Sequence, residues 1–298
     1  QLAARDYLEA INYAFVDATL LGQWQADEGA VALANPLSNE LGVMRTRLLP
    51  GLVDALGRNA ARQQARVRLF EIGKVFEGRD SEERPAPVET LRLAAAACGD
   101  VAEAQWDAPT RAVDFHDLKG DLESLMPGRI QCEAATHPAL HPGRSARVLF
   151  DGVPAGWIGE LHPALMARFE LARPPVLFEA ELEPMLSVRV PVYEPVSRFP
   201  PAIRDIAVVV DTAISAGRIA AEIELARREE AAAACVKHVR LFDEYRGKGL
   251  ENKEKSLAFR LWMQDTGRTL SDADAAEAVQ GIVGWLAEKT GARLRAGG

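Results

Sequence analysis

The sequence predicts an α+β protein of two modules, and three observations carry that reading. Strand-like runs in residues 1–190 follow one another without helices between them, as in "RVRLFEIGKVFE" (66–77) and "RVLFDGVPAGWIG" (147–159). Consecutive strands joined by short connections pair antiparallel, whereas parallel neighbours need a long crossover. A proline-spaced stretch, "VPVYEPVSRFPPAIRD" (190–205), then interrupts the chain. Its prolines lack amide donors and push their predecessors extended, so no helix spans it and a domain boundary is predicted there. Beyond it, the apolar period alternates between that of strands and that of amphipathic helices.

In the first module, strands are predicted at 11–16, 66–77, 91–98 and 176–182, with a hairpin over 147–159 that turns at Asp151-Gly152. Helices are predicted at 50–64, with a proline in the first turn, and at 117–125. After the boundary, Ile206, Val208 and Val210 mark a strand, and Ile219, Ile223 and Ala226 recur at helical spacing. Strands at 235–245 and 256–264 follow, the second alternating strictly. Its one face carries Leu257, Phe259, Leu261 and Met263, and the other Ala258, Arg260, Trp262 and Gln264. Ser271 with Asp274 forms a capping-box-like start. The helix behind it bears Ala275, Val279, Ile282 and Leu286 on one stripe until Gly291, and 292–295 reads as an edge strand. The order β-α-β-β-α-β is that of a ferredoxin-like domain.

The chain has 298 residues, 48% of them hydrophobic and 26% charged, a composition of globular proteins with real cores. No apolar run approaches the ~18–20 residues of a membrane helix, and no partner membrane is predicted. Gln1 rather than Met at the start, with no signal-like pattern behind it, predicts a piece of a longer protein. Cys98, Cys132 and Cys235 are too scattered for a disulfide framework, so reduced thiols and a cytoplasmic location are expected. The net charge of −8 lies entirely in residues 1–190, while 191–298 carries 16 cations and 16 anions. Between Lys237 and Arg268, eight cations face five acids, a positive island centred on "FDEYRGKGLENKEKSLAF" (242–259).

No motif for catalysis emerges. His137 and His141 have the i, i+4 spacing of a metal pair, yet Pro138 and Pro142 remove the helix that would converge them, so no metal site is predicted. His162 reads as a helix-start residue. His116 and Asp117 lack an accompanying nucleophile motif, and neither "GRSARVLFDG" nor "GKGLENKEKS" is a phosphate-cradling loop. No catalytic residue is therefore assigned. Arg45, Arg47, Arg58, Arg62, Arg66 and Arg68 punctuate the 50–64 region, most of them expected on a solvated face. Leu48, Leu49, Leu52 and Leu56 make a wide apolar stripe that is expected to meet a partner subunit.

Seven segments resemble the C-terminal part of the bacterial phenylalanyl-tRNA synthetase beta-subunit family. They are "NPLSNELGVMRTRLLPGL" (35–52), "RLFEIGKVF" (68–76), "DLKGDLESLM" (117–126), "HPGRSA" (141–146), "GWIGELHP" (156–163), "FPPAIRDIAVVVD" (199–211) and the 241–259 stretch continuing to "RTLSD". The resemblance implies that residues 1–190 form a class II synthetase-like antiparallel module without chemistry of its own, and that 197–296 form a ferredoxin-fold anticodon-binding domain. It implies a catalytic alpha subunit as partner in an (αβ)₂ assembly, tRNA(Phe) as the nucleic acid, and ATP and Mg²⁺ in the complete complex but no cofactor in this chain. The family's tRNA-binding OB module and editing domain lie outside this stretch. Family contacts to the anticodon correspond to Asp243, Tyr245 and Ser256, with Arg204, Arg246, Lys253, Lys255 and Arg268 expected at phosphates. Two positions depart from the family pattern: Arg47 stands where Ser is usual, and Ile203 where Arg is usual.

Two other readings compete with this one. A ferredoxin-like regulatory or protein-interaction subunit would keep the fold without RNA, and a stand-alone enzyme is disfavoured by the missing motifs. Steep weakening of binding with salt separates RNA recognition from the first of these.

Overall fold

A computed structural model describes residues 1–78, 86–187, 193 and 195–295. The chain divides into two compact units, Gln1–Arg189 and Val190–Gly298. The dividing stretch lies partly outside the described residues.

In chain order the first unit contains β1 (Leu8–Glu9), β2 (Phe15–Val16), α1 (Ala18–Gln23), β3 (Val43–Met44), α2 (Leu49–Ala61), β4 (Val67–Glu77) and β5 (Val88–Cys98). It continues with α3 (Phe115–Leu125), β6 (Ile130–Ala134), β7 (Leu140–Phe150), β8 (Val153–Leu161), α4 (Pro163–Arg168), β9 (Val176–Glu181) and α5 (Glu183–Leu186). Its described residues form a sheet of order β1-β4-β5-β9-β8-β7-β6, antiparallel throughout except for the parallel β1–β4 pair. The β7–β8 hairpin turns at Asp151 and Gly152, both with positive φ, which glycine and aspartate tolerate best.

One sheet face packs on α3 through Leu118, Leu122, Ala95, Ala97 and Phe178, the other on α2 through Leu52, Leu56, Ala94, Ala96 and Leu177. Here the leucine stripe must be corrected. Leu48, Leu49, Leu52 and Leu56 are all buried within this unit's own core, so they offer no apolar surface to a partner. An amphipathic stripe records that a helix buries one face, and the nearest cover is the chain's own sheet.

Buried charges knit this core. Asp121 on α3 accepts from the Tyr7 hydroxyl at 2.7 Å and from Arg5 and Arg68 at 2.9 and 3.2 Å. Arg45 donates to Glu71 at 2.6 Å. Gly73 makes room for it, since a Cβ there would stand 2.2 Å from the Arg45 guanidinium. Arg45 and Arg68 are therefore interior ion-pair residues and not parts of a solvated face. The strand expected at 11–16 shrinks to β2, because Ile11 is exposed and finds no ladder. His162 caps α4, its Nδ1 accepting from the Ala164 amide.

The second unit contains β10 (Ala202–Asp211), α6 (Ala216–Glu229), β11 (Val236–Tyr245), β12 (Glu254–Met263), α7 (Asp272–Thr290) and β13 (Arg293–Leu294). The sheet order is β11-β12-β10-β13, with every pair antiparallel. Leu257, Phe259, Leu261 and Met263 of β12 bury against α6 and α7 together with Ile206, Val208 and Val210. The Ser271–Asp274 capping box forms as expected, and Gly291 closes α7 in the left-handed conformation at φ 69°.

Candidate nucleic-acid interface

Because both helices cover one face of the second sheet, the period-two alternation turns the other set of side chains to the face without helices. Register places its side chains in rows. Tyr245 lies opposite Ser256, which lies opposite Val209, which lies opposite Arg293. The next row is Asp243, Ala258 and Ala207, extended by Arg295, whose amide bonds the Ala207 carbonyl at 2.8 Å. Arg240, Arg260 and Asp205 form the third row, and His238, Trp262 and Ile203 the fourth. Asp243, Tyr245 and Ser256 are thus brought together in two adjacent rows.

The Tyr245 ring sits at the loop end of this face. Its hydroxyl donates to the Lys248 carbonyl at 3.4 Å, and a Cβ on Gly247 would come within 2.7 Å of that hydroxyl. The glycine is what lets the 246–253 loop fold down against the ring. Arg295 reaches across from the last strand, its guanidinium 4.6 Å from the Tyr245 centroid. The small side chains of Ala207 and Ala258 lie in its path, and Ser256 and Val209 are buried in the adjoining row. Phe242 occupies the bulge between Leu241 and Asp243, under the Arg260 guanidinium at 5.2 Å. At the opposite end, the rings of His238 and Trp262 pack at 4.9 Å. Arg260 forms a two-bond fork with Asp205, at 2.7 Å each, which holds the Asp205 carboxyl below the usual range.

Three of the expected phosphate contacts, Lys255, Arg204 and Arg268, are not gathered there. Lys255 stands opposite Val210 on the helix side and is only 5% exposed. A residue adjacent to Ser256 in a strand cannot share its face. Arg204, opposite Leu261, likewise turns to the helix side and pairs with Asp272 at the start of α7. Arg268 forks onto Asp274 at 2.6 and 2.7 Å, and that pairing, with the Ser271 cap, drives the Asp274 carboxyl far below its normal range. It follows β12 at the end remote from Ser256, about 23 Å away at 3.3 Å per residue. Arg246 pairs with Glu244 at 2.7 Å, and Lys253 is exposed in the loop. The cations that stand on the sheet face itself are Arg240, Arg260 and Arg295. The strict alternation of β12 already held the signal for Arg260 and Trp262, whereas Arg295 arrives only through the β10–β13 register.

The remaining histidines do not converge. His137 and His141 each accept from a backbone amide two residues on, and among the described residues no three His, Cys, Asp or Glu side chains are placed to hold a metal ion. No described helix is long and apolar enough to cross a membrane.

Comparison with known proteins matches residues 1–182 to the family described as phenylalanyl tRNA synthetase beta chain CLM domain. The chain belongs to the phenylalanyl-tRNA synthetase beta-chain family. Residues 197–295 match the ferredoxin-fold anticodon binding domain. Among beta-chain relatives, the phenylalanine–tRNA ligase beta subunit of Xanthomonas campestris pv. campestris strain 8004 is 46% identical over 298 residues, 99% of this chain. The subunit of the same name from Xylella fastidiosa strain Temecula1 is also 46% identical over 99% of this chain. The chain spans 37% of the length of these relatives. Among solved structures, the pyrrolysyl tRNA synthetase PylSc of Desulfitobacterium hafniense aligns with a TM-score of 0.44 at 16% identity, over 62% of this chain and 61% of that one, too weak a likeness to define a fold. The beta-chain family and the observed sheets agree on α+β architecture, an antiparallel module followed by a ferredoxin-fold anticodon-binding domain.

Proposed function

We propose that the second unit binds the anticodon region of tRNA(Phe) across the sheet face without helices, as part of a phenylalanine–tRNA ligase beta subunit. The observation that carries this is the adjacency of Asp243, Tyr245 and Ser256 in neighbouring rows of one face. Unstacked bases are read by aromatic stacking and by hydrogen bonds to their edges. Tyr245 supplies the ring and the Asp243 carboxylate accepts from base amino or imino groups, while Ser256, only 3% exposed, supports the row from beneath. Arg240, exposed and opposite the Asp205-bound Arg260, is the cation best placed for a phosphate.

The first unit serves as the non-catalytic support of a catalytic alpha subunit in an (αβ)₂ assembly. ATP and Mg²⁺ then act in the complete, cytoplasmic complex, and this chain contributes no reacting group.

The test is binding of tRNA with cognate and altered anticodons to the chain at two salt concentrations. Tyr245→Ala is expected to weaken binding by about 1–3 kcal/mol, the worth of one base–aromatic stack, and Tyr245→Phe by less. Asp243→Asn should erode discrimination between anticodons more than affinity. Arg240→Ala should weaken all tRNAs alike and lower the salt slope by about one phosphate's worth. Equal losses for Tyr245→Ala and Arg240→Ala, with anticodon preference intact in Asp243→Asn, would leave a merely electrostatic surface or a protein-binding domain.

A further inference from the structure

On the α2 side of the first sheet, register sets Arg147 opposite Trp157 and Trp157 opposite Glu179. Arg92 of β5 joins this row by donating to Glu179 at 2.8 Å. Arg47, just before α2, and Trp24, at the end of α1, complete a hollow of about 300 Å³ whose walls include His137. That volume lies at the small end of ligand pockets.

Three features of the walls bear on an occupant. The first is missing acceptors. Among the described residues the half-buried Arg47, on the wall of the hollow, makes no hydrogen bond or close ion pair, whereas the unpartnered Trp24 Nε1 and Arg92 Nε are sealed off from it. Buried donors are rarely left unmade, and an unpaired guanidinium taken from water is costlier than a neutral donor. The second is charge. Three arginines, Arg47, Arg92 and Arg147, face two glutamates, Glu179 and Glu181, and Glu77 just outside the hollow stands 3.8 Å from Arg92. Glu179 is already committed to Arg92 and to the first amides of α2. Burial first, then the Arg92 charge, depresses the Arg47 pKa, while Glu179, Glu77 and Glu181 oppose this from a distance without pairing with it. The third is shape. The His137 and Trp157 rings stand 4.9 Å apart at 54°, and the Arg147 guanidinium lies 5.1 Å over Trp157. These flat surfaces suit a planar ring.

We propose that this hollow binds a small planar aromatic carboxylate, its ring against Trp157 and His137 and its carboxylate accepting from Arg47. The site lies wholly in the first unit and owes nothing to the RNA-binding face. A neutral ring of the same shape leaves Arg47 unpaired, and a bare anion leaves the aromatic walls unused.

The experiment titrates the chain with benzoate, benzamide and inorganic phosphate, followed by tryptophan fluorescence and thermal melting. Benzoate is expected to bind with a Kd near millimolar, ordinary for so small a ligand, and to raise the melting temperature. Benzamide and phosphate should bind at least tenfold more weakly. Arg47→Met should lose tenfold or more for benzoate, while Arg58→Met, on the exposed side of α2 beside Asp54, should bind as the unmodified chain does. Benzamide or phosphate matching benzoate, or Arg47→Met retaining full affinity, overturns the proposal. If Arg47→Met does not fold, the benzoate-to-benzamide ratio on the unmodified chain decides alone.

Discussion

Replacing Glu179 tests how the first unit is held together. This carboxylate is 4% exposed in the middle of β9, and three donors converge on it. The Leu48 and Leu49 amides, at 3.0 and 3.1 Å, are orphans of the α2 start, and the Arg92 guanidinium donates at 2.8 Å. The carboxylate thus serves as an N-cap supplied from another element, favoured further by the helix dipole. Glu179→Ala strands two buried amides and a guanidinium. Breaking a buried ion pair on one side costs about 3–5 kcal/mol, and the low end applies here because Glu77 remains 3.8 Å from Arg92. Glu179→Gln keeps an oxygen for the amides and loses only the charge pairing, so about 1–2 kcal/mol is expected. The double change Glu179→Ala/Arg92→Met removes the stranded cation and should recover at least about 1 kcal/mol of the single loss. Urea unfolding with amide exchange measures this, with the loss confined to residues 1–189. A cost below about 1 kcal/mol for Glu179→Ala, or no recovery in the double variant, would refute the argument.

Further outcomes follow from burial and charge. Leu56→Ala should cost the chain about 3 kcal/mol of stability, since Leu56 is wholly buried under its own sheet; a near-neutral effect in urea unfolding would return it to an interface. Lys255→Met keeps the buried stem packing and should leave the salt slope of tRNA binding unchanged; a drop of about one phosphate would put its ammonium on the RNA. Burial of His137, with Arg47 nearby, lowers its pKa to about 4. The unfolded chain takes up that proton near the ordinary value of about 6.5, so between the two the unfolded state holds more protons. Stability should therefore be flat above that window and fall by about 2 kcal/mol as pH drops through it, a half-buried ring feeling less than the full shift. His137→Gln should abolish that slope in urea titrations at pH 4 and 7.

Much of the fold was readable because its signals are local. The β12 alternation, the Ser271–Asp274 box and the Asp151-Gly152 turn each depend on residues within a few positions of one another. The same holds for the proposed reading sites: Asp243 and Tyr245 are two apart on one strand, so they share a face whatever else surrounds them. For the cations, proximity in sequence is not proximity in space. Lys255 neighbours Ser256 in the chain and points to the opposite side of the sheet, while Arg295, fifty residues from Tyr245, lies on its ring.

By itself the sequence determined the two modules, their α+β class, most element positions and the family, since periodicity, capping and motif order are properties of short stretches. Tertiary structure decided what those stretches face. It turned the Leu48–Leu56 stripe inward, drew the cap of α2 from a residue 131 positions away, and left Arg47 without an acceptor in a hollow lined by two tryptophans. Helix and strand periods state which side chains lie together, but only the packing of one element on another settles whether that side meets core, solvent or ligand, because burial is a property of the assembled surfaces.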